Sequence, residues 1–392
     1  MNKSISILGS TGSVGLSALS IIDKKRSLFK INILSANKNY KLICKQIQKY
    51  KPNIFIIHDQ STLKKVKQKF KNKKIILINN FNLINQKKKT DISISAIPGI
   101  AGLVPTILIT KLSKRILIAN KESVICGWRL IKKEALKNNT EIIPIDSEHY
   151  SIFKLLESHK IDEIKKIYIT ASGGPFLNLK PNQFKHIKPQ DALKHPKWKM
   201  GKKISIDSST LMNKILEFIE AQKLFNIPKE KLDILIHPNS LVHAIVELNN
   251  GLTKFIYHQT TMIIPLANAI FEGKININDF YNFKNKVISK SIENLTFTKV
   301  NSKIFPAIKL KNRANEYPST SIILNASNEV LVDQFLRKKI PFLGIYRVIR
   351  TILNNRNYKK YAITKPNNIN QINEIDFWAR HLTRELIIKK YE

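Results

Sequence analysis

The residues best suited to chemistry in this chain are three carboxylates. Asp146 and Glu148 stand two apart in PIDSEH, directly after an apolar strand-like run. Glu217 lies in the helical stretch DSSTLMNKILEFIEA (Asp207–Ala221). In open α/β sheets, ligands bind at the carboxyl ends of strands, which is where the first pair falls. Oxygen donors alone suit Mg²⁺ or Mn²⁺ rather than zinc. The same short acidic motif serves equally well as a helix start, with Ser147 as cap and Glu148 facing the helix dipole.

A second group is GSTGSVG, Gly9–Gly15, between a strand and a helix. Glycines at positions 9, 12 and 15 allow a tight turn and close approach of backbone to a pyrophosphate, which then sits on a helix N-terminus. The spacing is G-x-x-G-x-x-G, so the position at the first strand–helix turn carries the assignment. An NAD site usually has an acid at the end of the second strand. Here that strand ends Ala36-Asn37-Lys38-Asn39, without one. A cation flanked by amides suits a 2′-phosphate and therefore NADP(H). Lys38 also fits as one surface lysine among many.

Hydroxyls, an amide and an amine form the third group. Ser172 lies in the turn ASGGPF (Ala171–Phe176). Ser208 is read as standing just before the regular part of a helix, with Asn213, Lys214 and Glu217 inside it. Asn213 and Glu217 are spaced i, i+4 and share a face. Such groups near a helix start are the parts of a phosphate pocket. His195 and Trp198, in the loop HPKWKMGKK (His195–Lys203), fit either a lid over that pocket or a packed loop anchor. Cys44 and Cys126 read as ordinary buried thiols.

The elements that must position these groups are legible in outline. Ser4–Gly9, Lys30–Ala36, Ile54–His58, Lys74–Asn79, Asp91–Ile97, Arg115–Asn120 and Glu141–Asp146 read as Ile-rich buried strands. Leu16–Lys25, Leu42–Lys51 and Val124–Asn138 read as helices between them. This alternation predicts a Rossmann-like, doubly wound parallel sheet. Further strands are read at Leu232–His237, Val242–Leu248 and Thr253–Tyr257, and a helix at Asn213–Phe225. The tail reads as helical at Ser321–Lys338, Leu343–Asn354 and Asp376–Lys390. The expected division is a nucleotide-binding domain over 1–146, an α/β catalytic domain with a mobile lid loop over 147–271, a linker over 272–304, and a C-terminal helical domain over 305–392.

Composition bounds the alternatives. The 392 residues are 43% hydrophobic, enough for a sizeable core, and this excludes a disordered tail protein. Two cysteines exclude a disulfide scaffold. The absence of long apolar runs and the immediate strand at the N-terminus predict a protein without membrane anchor or leader, in a reducing, cytoplasmic compartment. With 67 Lys+Arg against 28 Asp+Glu the net charge is +39. That charge raises nucleic acid or an anionic membrane as a partner. However, Lys, Asn and Ile crowd every segment, as drift toward AT-rich codons produces. Lys64–Lys74 reads as an exposed helix and turn, and no nucleic-acid motif accompanies it. Neither partner is expected.

With ILGSTGSVG (Ile7–Gly15), ANKES (Ala119–Ser123), PIDSEH (Pro144–His149), ASGGPF, HPKWKMGKKISIDSSTLMNK (His195–Lys214), LIHPNSLVH (Leu235–His243) and LNASNE (Leu324–Glu329), the chain resembles the 1-deoxy-D-xylulose 5-phosphate reductoisomerase family over nearly its full length. The resemblance implies isomerisation and NADPH-dependent reduction of that sugar phosphate to 2-C-methyl-D-erythritol 4-phosphate, in the non-mevalonate route to isoprenoid precursors. It implies Thr11, Gly12, Ser13 and Val14 on the cofactor, with Asn37, Lys38 and Asn39 around its adenosine phosphate and Asn120, Glu122 and Gly201 also facing it. Asp146, Glu148 and Glu217 would hold Mg²⁺ or Mn²⁺, with Co²⁺ as a further option. Lys121, Ser147 and Glu148 would contact the reacting carbons. Ser172, Ser208, Asn213 and Lys214 would take the substrate phosphate, with His195 closing on it and Trp198 covering the site. A homodimer is also implied.

Two departures stand out. Where the family has Pro-Asp-Met-Arg/Lys before a proline, this chain has Thr260-Thr261-Met262-Ile263-Ile264-Pro265, and near Asn301–Lys303 a usual acid is missing. Neither belongs to the sets above, so both bear on the dimer or a hinge. The competing readings are an NADP-dependent dehydrogenase without isomerisation, a basic nucleic-acid-binding protein on a retired dehydrogenase scaffold, and a protein that binds NADPH without turnover. Loss of activity on chelation separates the first.

Overall fold

The computed structural model describes residues 2–86, 88–198, 201–282 and 295–391. Part of the expected linker, residues 283–294, lies outside the described residues, as do Lys199 and Met200 of the expected lid loop. The chain forms two compact units. The first takes the described residues of Met1–Ser123, Arg129–Tyr150 and Met262–Lys284. The second takes those of Val124–Trp128, Ser151–Thr261 and Asn285–Glu392.

The first unit is built on β1 (Lys3–Leu8), β2 (Phe29–Ala36), β3 (Ile54–Ile57), β4 (Ile76–Ile78), β5 (Thr90–Ser95), β6 (Ser113–Ile118) and β7 (Glu141–Pro144). These pair in the order β4-β3-β2-β1-β5-β6-β7, all parallel. Ile5 sits between Ile31 and Ile92 in register, and all three are buried. Runs such as Ile54–Ile57 are apolar throughout because both sheet faces are covered by helices. Those helices include α1 (Ser13–Lys24), α2 (Tyr40–Tyr50), α3 (Gln60–Lys69), α4 (Leu103–Lys111) and α5 (Lys121–Lys137). Strand order reverses at β1, with β2 on one side and β5 on the other. The crevice beyond the carboxyl ends of that pair is the ligand position in such sheets.

The described residues 262–282, which the sequence reading splits between the catalytic domain and the linker, belong to this first unit. A helix at Ile263–Phe271 sets Phe271 edge-on against Phe29, with ring centroids 5.5 Å apart. Glu272 then pairs with Lys3 at 3.1 Å and Arg115 at 2.8 Å.

The second unit carries a mixed sheet of β8 (Ile164–Ala171), β9 (Leu232–Ile236), β10 (Val242–Leu248), β11 (Thr253–Tyr257) and β12 (Thr298–Lys299), in the order β11-β10-β8-β9-β12. β8 and β9 are parallel and the other pairs antiparallel. The central strand β8 has no counterpart in the sequence reading, because Lys165 and Lys166 interrupt its apolar start. The C-terminal helices include Thr320–Leu336, buried over most of its surface, Gly344–Leu353 and Ile369–Tyr391.

The stretch read as one helix over Asp207–Ala221 is two. Lys202–Thr210 forms the first and Met212–Phe225 the second, with Leu211 between them in the left-handed region at φ 66°. A left-handed non-glycine residue is disfavoured by roughly 1–2 kcal/mol. The buried Leu211 side chain offsets that strain. Ser208 therefore lies inside the first helix rather than ahead of one.

Candidate active site

Within the first unit, the glycine turn leaves β1 with Gly9 at φ +82°. A Cβ on Gly15 would lie 2.3 Å from Gly9 O and 2.6 Å from Ser10 Cα, so only glycine permits the turn to fold onto the helix this closely. Ser10 Oγ donates to Gln46 Oε1 at 2.6 Å and Gln46 Nε2 returns to Ser10 O at 2.9 Å, which ties the turn to α2. Gly12 caps α1, and Thr11, Ser13 and Val14 remain exposed or half-buried at its start. The helix N-terminus thus presents backbone N–H groups outward, an arrangement suited to an anion.

Asn37, Lys38 and Asn39 are exposed beyond β2. Asn39 is engaged as the α2 cap, accepting from Leu42 N at 3.2 Å. Asn120 is buried and serves the scaffold. Its Oδ1 accepts from Ser123 N at 2.7 Å, and its Nδ2 donates to Ile97 O and Gly99 O and reaches Glu122 Oε2 at 3.3 Å. These bonds fix the β5 and β6 loops around the crevice.

At the end of β7, Lys121 Nζ lies 2.9 Å from Asp146 Oδ2. Ser147 opens the next helix, Ser147–Leu156, and its hydroxyl donates to Glu148 Oε2 at 2.7 Å. Lys121, Ser147 and Glu148 are all buried. A buried amine beside two carboxylates, on the carboxyl side of a parallel sheet, is a polar cluster that folding alone does not require.

The second unit brings the Ser172 turn, His195 and the Ser208 helix together. Gly173 and Gly174 both adopt positive φ, at 80° and 59°. Gly174 backs onto the Lys202–Thr210 helix, where a Cβ would meet Ser208 O and Ser209 Cα at 3.3 Å each. This contact sets the Ser172 turn beside Ser208. Ser172 Oγ accepts from Gly174 N at 3.0 Å and lies 3.1 Å from His195 Nε2. His195 Nδ1 accepts from Trp198 N at 2.9 Å and Lys197 N at 3.1 Å. With Nδ1 an acceptor, the neutral ring carries its proton on Nε2 and donates it to Ser172. Ser172 Oγ then receives two hydrogen bonds. Burial, and secondarily the charge of Lys214, pushes the His195 imidazole down to about 4.

Lys214 and Asn213 both reach Glu217. Lys214 Nζ lies 2.6 Å from Oε2, and Asn213 Nδ2 donates to Oε1. Glu217 is only 1% exposed. Gly201 caps the Lys202–Thr210 helix, with open space around its Cα.

Two supports escape the sequence reading. Asp207, wholly buried, takes Asn328 Nδ2 at 2.7 Å and Lys203 Nζ at 2.8 Å, and so joins the Ser208 helix to Thr320–Leu336. Both residues stand in quoted motifs, and this was the available signal. Trp198 packs edge-on against His243, which stacks on His258 with centroids 3.9 Å apart. His258 sits outside every motif, so nothing in its spacing announces the stack.

Among the described residues, no helix is long and apolar enough to cross a membrane. Cys44 and Cys126 are both buried thiols.

Three family models match the chain: 1-deoxy-D-xylulose 5-phosphate reductoisomerase over residues 5–127, its C-terminal domain over 142–225, and the DXP reductoisomerase C-terminal domain over 258–382. A reductoisomerase of Pelagibacter ubique is 45% identical over 380 residues, covering 95% of this chain and 97% of its own. One of Wolbachia pipientis from Culex pipiens is 38% identical, covering 99% and 98%. Among solved structures, the Zymomonas mobilis reductoisomerase in complex with NADPH superposes with a TM-score of 0.88 at 29% identity, covering 99% of both chains. A reductoisomerase in complex with NADPH, fosmidomycin and magnesium gives 0.89 at 29%, covering 100% of both. By sequence over its whole length and by fold, the chain belongs to the 1-deoxy-D-xylulose 5-phosphate reductoisomerase family.

Proposed function

We propose that the protein converts 1-deoxy-D-xylulose 5-phosphate to 2-C-methyl-D-erythritol 4-phosphate with NADPH and a divalent cation. The observation that carries this is an anion cup. Ser172, polarised by His195 and Gly174, stands with Ser208 and close enough to Lys214 for its charge to act on His195.

The residues fit both groups the reaction needs. The Gly9–Gly15 cradle is closed to any Cβ and open to a pyrophosphate, with Thr11, Gly12, Ser13 and Val14 at its rim. Asp146, Glu148 and Glu217 are all carboxylates, the donor chemistry of Mg²⁺ or Mn²⁺. When bound, the cation supplies Lewis acidity to a hydroxyketone and the reduced nicotinamide supplies a hydride.

The chain's own groups do the rest. Ser172, Ser208, Asn213 and Lys214 bind the substrate phosphate, and His195 closes on it. This remote binding orients the reacting carbons. Lys121, Ser147 and Glu148 line those carbons, and the Lys121 amine places positive charge where negative charge develops. Asn37, Lys38 and Asn39 serve the adenosine phosphate. Asn120 shapes the cofactor crevice through its backbone bonds, with Glu122 and Gly201 also facing the cofactor. Trp198, seated on His243, covers the site and excludes water. The protein works as a homodimer in the cytoplasm.

The test follows reduced-nicotinamide absorbance with 1-deoxy-D-xylulose 5-phosphate and Mg²⁺ or Mn²⁺, with and without EDTA. Turnover abolished by EDTA and restored by metal is expected. Turnover indifferent to EDTA supports a plain dehydrogenase, and none from a folded, NADPH-binding protein removes the proposal.

A further inference from the structure

A hollow of about 550 Å³ opens where the chain leaves β2, lined by Lys38, Tyr40, Thr62, Lys65, Gln68 and Lys69. Thr62, Lys65 and Lys69 follow an i, i+3, i+7 spacing, so they share one face of α3, bordered by the buried Val66 and Leu63. Lys69 Nζ is held 5.7 Å above the Tyr40 ring. No carboxylate lines the hollow. The nearby Asp59 is engaged at the start of α3, where it accepts from Thr62 N at 2.8 Å and Ser61 Oγ at 2.6 Å. Three lysines therefore line one hollow with no carboxylate in its lining, and the charge of Asp59 acts on Lys38 from outside it. Like charges four apart on a helix repel, and an anion between them removes that repulsion. The carboxyl end of β2 is also where a Rossmann-like sheet holds the adenosine ribose, and Gly9 N bonds Ser35 O at 3.1 Å, so the pyrophosphate turn adjoins it.

We propose that Lys65 and Lys69 join Lys38 in a three-lysine cup for the cofactor's 2′-phosphate, and so set the preference for NADPH over NADH. This rests on the cofactor reading above. It adds two residues from α3 that no glycine motif or strand-end rule points to.

The test is calorimetric binding of adenosine 2′,5′-bisphosphate and of 5′-AMP to the full chain, wild type against Lys65→Glu, Lys69→Glu and Lys64→Glu. Lys64 is exposed on the same helix but outside the lining, so its reversal changes net charge equally. The bisphosphate should weaken about tenfold or more in Lys65→Glu and Lys69→Glu, with 5′-AMP unaffected and Lys64→Glu near wild type. Equal weakening in all three variants means diffuse charge and overturns the cup. Unchanged binding in Lys65→Glu and Lys69→Glu overturns it while leaving the cofactor reading intact. A wild type that prefers 5′-AMP overturns both.

Discussion

Lys214 Nζ lies 2.6 Å from Glu217 Oε2, so the amine proposed for the substrate phosphate and a carboxylate proposed for the cation hold each other. Both are buried, and a charge out of water is costly without such company. If phosphate and cation bind as proposed, each draws on this pair and the two are coupled. Glu217→Gln should therefore lower kcat/KM by more than the roughly 10–100-fold typical of a group that merely supports a metal ligand. It should also raise the metal concentration needed for half-maximal rate. Steady-state kinetics over a Mg²⁺ series reads both, and an unaltered metal requirement would exclude Glu217 from the ligand set.

His195 gives a pH prediction with a definite sign. Its imidazole sits at about 4 in the folded chain, below an ordinary value of about 6.5. Between these values the unfolded chain binds more protons at this site, so stability rises with pH across the window and is lost as pH falls through it. Melting temperature should decline on acidification from about 6.5 to about 4, less steeply in His195→Gln. Parallel slopes in the two proteins would contradict this.

The glycine cradle predicts an intolerance. In Gly15→Ala the new Cβ meets Gly9 O at 2.3 Å and Ser10 Cα at 2.6 Å, both backbone, so the turn must open. The expected loss is roughly 1–3 kcal/mol of stability, as for overpacking elsewhere, together with weakened NADPH binding. Urea unfolding and a nucleotide titration check it. A variant that matches the wild type in both would refute the steric account.

The net charge of +39 predicts a salt response. Self-repulsion destabilises the compact state and is screened as ionic strength rises. Melting temperature should climb between low and moderate salt, and a flat or falling profile would show that repulsion is not limiting.

How much of this was legible in the sequence depended on locality. The seven parallel strands were, because runs such as Ile54–Ile57 are apolar on both faces and bounded by turn residues. The nearness of the Ser172 turn to Ser208 was, because both stand in short motifs around turns. β8 was not, since Lys165 and Lys166 mask its period. The break at Leu211 carried no Gly or Pro to mark it, because its cause is burial of a side chain by tertiary packing. The return of residues 262–282 to the first unit was hidden for the same reason, since nothing local to Phe271 names Phe29 as its neighbour.

That return has a consequence for biosynthesis. The seven strands of the first sheet have all been translated by Pro144, yet the unit stays open until Phe271 and Glu272 have followed. Residues 151–261, an entire segment of the other unit, are made in the interval. The nascent sheet must therefore wait with Phe29 and Lys3 lacking these partners and Arg115 holding Glu141 but not Glu272, and it closes through contacts very distant in sequence. Such contacts form late and leave apolar surface exposed meanwhile. The demand this chain topology makes therefore falls on the period of synthesis, when the first unit is still incomplete.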